Sequence, residues 1–155
     1  MIADYIIYTD GSCLGNPGAG GYAAIIIDCV TGEVIELHGG ESYTTNNRME
    51  MTAAIVALSE LPAGVNVDLY TDSAYLKNAF TKGWLKNWKR NGWRTSNNTP
   101  VLNQELWIEL DNLMMTHEIN FIWVKGHAGI EYNERCDKLA RQESVKYSMI
   151  NAEVL

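Results

Sequence analysis

Tyr5-Ile6-Ile7-Tyr8-Thr9-Asp10-Gly11-Ser12 and Val67-Asp68-Leu69-Tyr70-Thr71-Asp72-Ser73 are the two stretches whose reading sets the fold. Each is an apolar, β-branched or aromatic run that ends on Tyr-Thr-Asp and passes straight into Gly or Ser, so each predicts a strand closing on a carboxylate. If the two strands are parallel neighbours, Asp10 and Asp72 meet at one edge of the sheet. That carboxyl edge is where open α/β sheets bind ligands. Taken singly, an aspartate after a strand reads as readily as a turn former or a helix N-cap. The repeated Tyr-Thr prefix favours a shared site.

Working outward, strands are expected over residues 5–9, 22–27 and 34–38, with the uncharged, glycine-rich start of the 11–27 stretch as a loop and 28–33 as a hairpin connection. Met51, Ala54, Ile55, Leu58 and Leu61 recur at helical spacing, which predicts a helix over 45–60. A strand at 65–70, a short helix at 73–80, a helical or looped excursion at 84–93, a helix at 101–115, a strand at 119–124 and a last helix at 131–146 complete the chain. The order βββαβαβα predicts an α/β fold with a five-stranded mixed sheet flanked by helices, antiparallel at its start and parallel in its second half. A single domain over 1–155 is expected, with its core at about 5–146 and a short C-terminal tail.

The 155 residues are 46% hydrophobic, 20% charged and 10% aromatic, a composition that suits a folded domain and not a disordered tail. No run of about 20 apolar residues suggests a membrane span, and no Lys or Arg precedes Arg48, so a secretory leader is not expected and the cytoplasm is. The three cysteines, Cys13, Cys29 and Cys136, show no CxxC spacing and read as small, semi-buried residues. A net charge of −7 argues against a nucleic-acid partner when taken alone. Its distribution argues the other way, because Lys77, Lys82, Lys86, Lys89, Arg90 and Arg94 fall in a stretch without Asp or Glu.

Glu50 stands three residues after Asn47, the spacing of a capping box, and on the helix it would flank the apolar face. Asp137 stands four before Arg141, the spacing of a helical ion pair. His127 lies between glycines after a strand and has the ordinary chemistry of a proton carrier near neutral pH; His38 and His117 read as structural. Gathering Asp10, Glu50, Asp72 and Asp137 would require a cation, since two like charges 4 Å apart repel by about 1 kcal/mol in water and about 4 kcal/mol at an effective dielectric near 20. All-oxygen donors select hard ions such as Mg²⁺ or Mn²⁺ over zinc.

The segments 8–18 (Tyr-Thr-Asp-Gly-Ser-Cys-Leu-Gly-Asn-Pro-Gly), Thr45-Asn46-Asn47-Arg48-Met49-Glu50, Thr71-Asp72-Ser73, Trp123-Val124-Lys125-Gly126-His127 and Asn133-Glu134-Arg135-Cys136-Asp137 resemble, in order and spacing, the bacterial type 1 ribonuclease H family. The resemblance runs from about residue 5 to residue 141. It implies a ribonuclease H-like fold and metal-dependent endonucleolytic hydrolysis of the RNA strand of RNA/DNA hybrids, leaving 5′-phosphate and 3′-hydroxyl ends. It implies that Asp10, Glu50, Asp72 and Asp137 hold two Mg²⁺ ions, for which Mn²⁺ substitutes, and that His127 assists proton transfer or product release. It further implies that Cys13, Asn16, Asn46 and Asn47 contact RNA 2′-hydroxyls in the minor groove. The same asparagines suit loop and cap chemistry. Trp84, Lys86, Trp88, Lys89, Arg90 and Trp93 resemble the family's basic protrusion that grips the DNA strand, although three tryptophans at this spacing also suit a small local core.

Three positions depart from the family's pattern: Ala74 for a common Gln, the lysine-poor Asn97, Asn98 and Leu102, and Ala19 for a common Pro. These bear on affinity more than on chemistry. Competing readings are a resolvase, integrase or transposase core of the same broad fold, a hybrid-binding module without catalysis, and an acidic calcium-binding scaffold, for which no EF-hand spacing occurs. A monomer is expected, with a single-stranded-DNA-binding protein as a conceivable recruiting partner and no membrane association.

Overall fold

The computed structural model of the chain describes residues 2–125 and 131–154. Its elements in chain order are β1 (Tyr5–Cys13), β2 (Gly18–Asp28), β3 (Val34–Thr44), α1 (Asn46–Ser59), β4 (Asn66–Thr71), α2 (Ala74–Thr81), α3 (Trp84–Arg90), α4 (Gln104–Thr116), β5 (Glu118–Trp123) and α5 (Glu131–Val154). The sheet has five strands in the order β3-β2-β1-β4-β5. β1, β2 and β3 pair antiparallel, whereas β1–β4 and β4–β5 are parallel, which is the mixed sheet expected from the sequence.

β2 is buried on both faces, and its pattern shows how. On β2, Ala24 and Ile26 join Ile7, Val67 and Leu69 beneath α1, whose Met51, Ala54, Ile55 and Leu58 recur every three or four residues. The intervening Ala23 and Ile25 point the other way, onto Cys136, Leu139 and Ala140 of α5. Period two in the strand and 3.6 in the helices thus sort one chain into two apolar layers. Among the described residues, no helix is long and apolar enough to cross a membrane.

Several boundaries differ from expectation. β1 continues through Asp10 to Cys13, and the glycine stretch read as a loop forms the first part of β2. A Cβ at Gly21 would lie 2.2 Å from the Ala140 carbonyl oxygen, so glycine here admits the backbone of α5 and does not mark a turn. The connection from β4 to β5 holds three helices, α2 to α4, where the βββαβαβα order counts one helical unit. The last helix runs to Val154, past the expected end at residue 146. The 28–33 hairpin is present: Asp28 Oδ1 accepts from the Val30 and Thr31 amides at 2.9 and 3.1 Å, and Gly32 takes φ +77°. Of the cysteines, Cys136 is buried and Cys13 partly so, while Cys29 is exposed, contrary to expectation.

Candidate active site

The parallel register that pairs Tyr8 with Tyr70 carries both aspartates to the same end of the sheet. The two tyrosine rings stack with centroids 4.7 Å apart, and Thr9 Oγ1 donates to the Tyr70 carbonyl at 3.4 Å. The N-cap role that a strand end suggests for Asp72 falls to its neighbour, and Asp10 is not at a strand end at all. Ser73 is the N-cap of α2, its Oγ accepting from the Leu76 amide at 3.2 Å. Asp10 lies within β1, where the Gly11 amide donates to its Oδ1 at 2.9 Å.

Glu50 reaches these two from the first turns of α1. The capping box suggested by Asn47 and Glu50 does not form, because the cap is Thr45, whose Oγ1 accepts from the Arg48 amide at 3.2 Å. Glu50 is instead turned inward, 4% exposed. Gly11 permits this: a Cβ there would lie 2.6 Å from the Glu50 amide nitrogen. One carboxylate oxygen from each of Asp10, Glu50 and Asp72 lies within 4.8 Å of the others. Asp137 joins them across a cleft lined by Thr9, Asp10, Asp72, Val124, Asn133, Glu134 and Asp137. On its far side Asp137 makes the expected ion pair with Arg141, so the helical pair and the cleft use one carboxylate.

The electrostatics of this cluster are strained without a cation. Burial pushes the Asp10 carboxyl up from 3.8 to about 7, with the charges of Asp72 and, less, Asp137 adding to it; hydrogen bonds from Glu50 and the Gly11 amide oppose the shift. Burial first, then the Asp10 and Asp72 charges, raises Glu50 well above its ordinary value. Glu50 Oε2 is buried with no hydrogen-bond partner. An orphaned carboxylate oxygen beside two others fits a hard divalent cation held by oxygen donors.

The other expected residues fall into two groups. Asn16 Oδ1 accepts from the Asn46 amide at 2.8 Å, which ties the β1–β2 connection to the start of α1. Cys13 Sγ donates to the Thr44 carbonyl at 3.4 Å, and Asn47 is the second residue of α1. In the arm, Trp84 and Trp88 stand 6.2 Å apart, Trp88 reaches Trp107 at 5.3 Å, and Trp84, Trp88 and Trp93 all pack partly buried on the main core. The local-core reading of the tryptophans therefore holds. Lys89 is ion-paired with Asp111 at 3.0 Å. His127 lies outside the described residues.

Sequence reasoning missed Thr9, Val124, Asn133 and Glu134 as cleft walls. Asn133 and Glu134 were findable, since on α5 they precede Asp137 by one turn. Nothing in the alternation of β1 distinguishes Thr9.

Residues 3–145 match the family model described as RNase H. A protein of Acetivibrio thermocellus named ribonuclease H is 56% identical over 142 residues, which span 92% of this chain and 95% of that one. Among solved structures, LC9-RNase H1, described as a type 1 RNase H with the type 2 active-site motif, superimposes with a TM-score of 0.80 at 28% identity, covering 96% of this chain and 75% of its own. LC11-RNase H1, solved in complex with an RNA/DNA hybrid, gives a TM-score of 0.68 at 25% identity, covering 92% and 98%.

Proposed function

The chain belongs to the ribonuclease H family, and from that premise we propose that it hydrolyses the RNA strand of RNA/DNA hybrids at the carboxylate cluster of Asp10, Glu50, Asp72 and Asp137. The observation that carries the reading is the convergence of three carboxylate oxygens within 4.8 Å, one of them on a buried glutamate with an unpartnered oxygen. The four carboxylates would hold two Mg²⁺ ions, with Mn²⁺ as a substitute. Bound there, such ions activate water and stabilise the leaving oxygen of a phosphodiester.

The chain's own residues divide the remaining work. Glu50, fixed by burial, and Asp10, held by the Gly11 amide, supply an inner wall that does not rearrange when a phosphate arrives. Asp137 is oriented by Arg141 and closes the cleft from α5. His127, flanked by glycines in the sequence, moves a proton at the leaving oxygen or aids product release. Cys13, Asn16, Asn46 and Asn47 line up the RNA strand through its 2′-hydroxyls, which distinguish RNA from DNA. Lys86 and Arg90, with the edges of Trp84 and Trp93, hold the DNA strand by its phosphates and sugars. The protein acts as a monomeric single-domain enzyme in the cytoplasm and leaves 5′-phosphate and 3′-hydroxyl ends.

The test is end-labelled cleavage of an RNA/DNA hybrid beside single-stranded RNA, duplex RNA and duplex DNA, with and without Mg²⁺, using Asp10→Asn as control. Cutting confined to the hybrid's RNA strand, dependent on metal and lost in the variant, is the expected result. Cutting of duplex DNA would move the protein to a resolvase-like branch of the fold, and binding without cutting would make it a recognition module.

A further inference from the structure

The six cations of the arm are not equivalent. Lys89 Nζ stands 3.0 Å from Asp111 Oδ1, and Asp111 is a buried residue of α4, 7% exposed. One residue earlier on α3, the Trp88 ring meets the fully buried Trp107, which lies one turn before Asp111 on α4. Two successive residues of α3 therefore dock on two successive turns of α4, one contact apolar and one ionic. α3 has only seven residues, and its N-cap, Gly83 at φ +72°, gives no side-chain hydrogen bond. A helix so short does not hold itself, so its direction is set by what it touches. Lys86 and Arg90 are four residues apart on one stripe of α3, both exposed, and neither enters an ion pair among the described residues.

Taking the chain as a hybrid-cleaving enzyme, we propose that Lys89 is a positioning residue and not a phosphate contact: through Asp111 it fixes α3 on α4, and so aims Lys86 and Arg90 at the DNA strand. A lysine on a phosphate and a lysine on a carboxylate make opposite demands. If Lys89 bound phosphate, its loss would lower the slope of log affinity against log salt by about one. Loss of a positioning lysine makes α3 aligned less often before binding, but the complex that forms still carries the Lys86 and Arg90 contacts, so binding weakens at every salt concentration and the slope is left alone. Asp111 separates the two more sharply. On charge alone, removing a carboxylate beneath a cationic arm strengthens hybrid binding, whereas removing the residue that anchors Lys89 weakens it.

The experiment is binding of a fluorescent RNA/DNA hybrid by anisotropy across a KCl series, for the full chain and for Lys89→Gln, Asp111→Asn, the double variant and Lys86→Gln. Cleavage by the unaltered chain is scored in parallel. Kd is expected to rise about fivefold in each of Lys89→Gln and Asp111→Asn, a ratio equivalent to about 1 kcal/mol. The slope should be unchanged in both, the double variant no worse than either single one, and the slope lower in Lys86→Gln. A slope reduced by about one in Lys89→Gln, or binding as tight as or tighter than the unaltered chain in Asp111→Asn, would overturn the proposal. Should Asp111→Asn not fold by circular dichroism, the slope of the half-exposed Lys89→Gln decides alone. Failure of the unaltered chain to cut the hybrid overturns the functional reading instead, and is scored in a separate assay.

Discussion

Tyr8 and Tyr70 sit opposite each other in neighbouring parallel strands, their rings stacked at 4.7 Å, and Asp10 and Asp72 follow two residues later, one within β1 and the other just past the end of β4. The stack fixes the register, and the register makes the two charges neighbours. A one-residue slip of either strand would turn its aspartate to the opposite face of the sheet. The apolar packing of the sheet is thus what holds like charges together, at a cost that a cation removes.

Replacing Asp10 with Asn separates stability from chemistry. The substitution removes the charge that pushes hardest on Glu50 while keeping shape and the acceptor used by the Gly11 amide. Repulsion between close carboxylates is of order 1 to 4 kcal/mol, so the metal-free variant should melt several degrees above the unaltered chain. Hybrid cleavage should fall more than about a hundredfold. Differential scanning calorimetry in EDTA beside a cleavage assay checks both; a variant that melts lower would mean that Asp10 is not under electrostatic strain.

The metal-free protein should lose stability as pH rises through the weakly acidic range. Asp10 titrates at about 7 in the fold against 3.8 ordinarily, and Glu50 shifts in the same direction. The folded state therefore binds these protons more tightly than the unfolded chain. Their contribution is complete below about 3.8, declines between there and about 7, and is level above. The total is of order a few kcal/mol. Glu36, Glu105 and Asp28 shift the other way but lie near the surface, where solvent screens them. Added Mg²⁺ should raise the melting temperature markedly at pH 8 and little at pH 4.5, since protons and metal compete for the same oxygens. A Mg²⁺ effect independent of pH would count against the raised carboxyls as the ligands.

Much of this was legible in the sequence, for definite reasons. The Tyr-Thr-Asp repeat works because it combines strand composition with a polar end, and parallel pairing does the rest. The glycines at 18–21 misled because glycine has two uses: freedom of φ, which marks a turn, and absence of a Cβ, which admits another backbone. Gly21 has the second use, and only the position of α5 reveals it. Glu50 carried a capping-box spacing that Thr45 pre-empts, a competition between two nearby polar residues, Thr45 and Asn47, that spacing alone does not decide. Lys89 was grouped with the arm's other cations because its partner, Asp111, lies 22 residues away on another helix.

Gly11→Ala should damage the site from behind. Its Cβ would come within 2.6 Å of the Glu50 amide nitrogen and 2.8 Å of the Met49 carbonyl carbon, both backbone atoms that cannot swing aside. Relief requires α1 to move off β1, carrying Glu50 away from Asp10. Overpacking of this kind costs about 1 to 3 kcal/mol, and activity should fall by more than the loss of folded protein explains. Chemical denaturation paired with turnover per folded molecule tests it; full turnover in the remaining folded fraction would show that Glu50 tolerates the shift.

Asn16 has one end committed to the fold, and this splits the effects of two substitutions. Its Oδ1 accepts from the Asn46 amide at 2.8 Å, which leaves the Nδ2 hydrogens available for the RNA 2′-hydroxyl contact proposed above. Asn16→Asp keeps the acceptor and loses the donor, so the melting temperature should hold while KM for the hybrid rises about fivefold or more, the cost of one hydrogen bond with added repulsion from phosphate. Asn16→Ala loses both ends, and should lower the melting temperature as well as raise KM. Thermal melts and steady-state kinetics on the pair separate the roles. Equal KM for the Asp variant and the unaltered chain would confine Asn16 to holding the start of α1 in place.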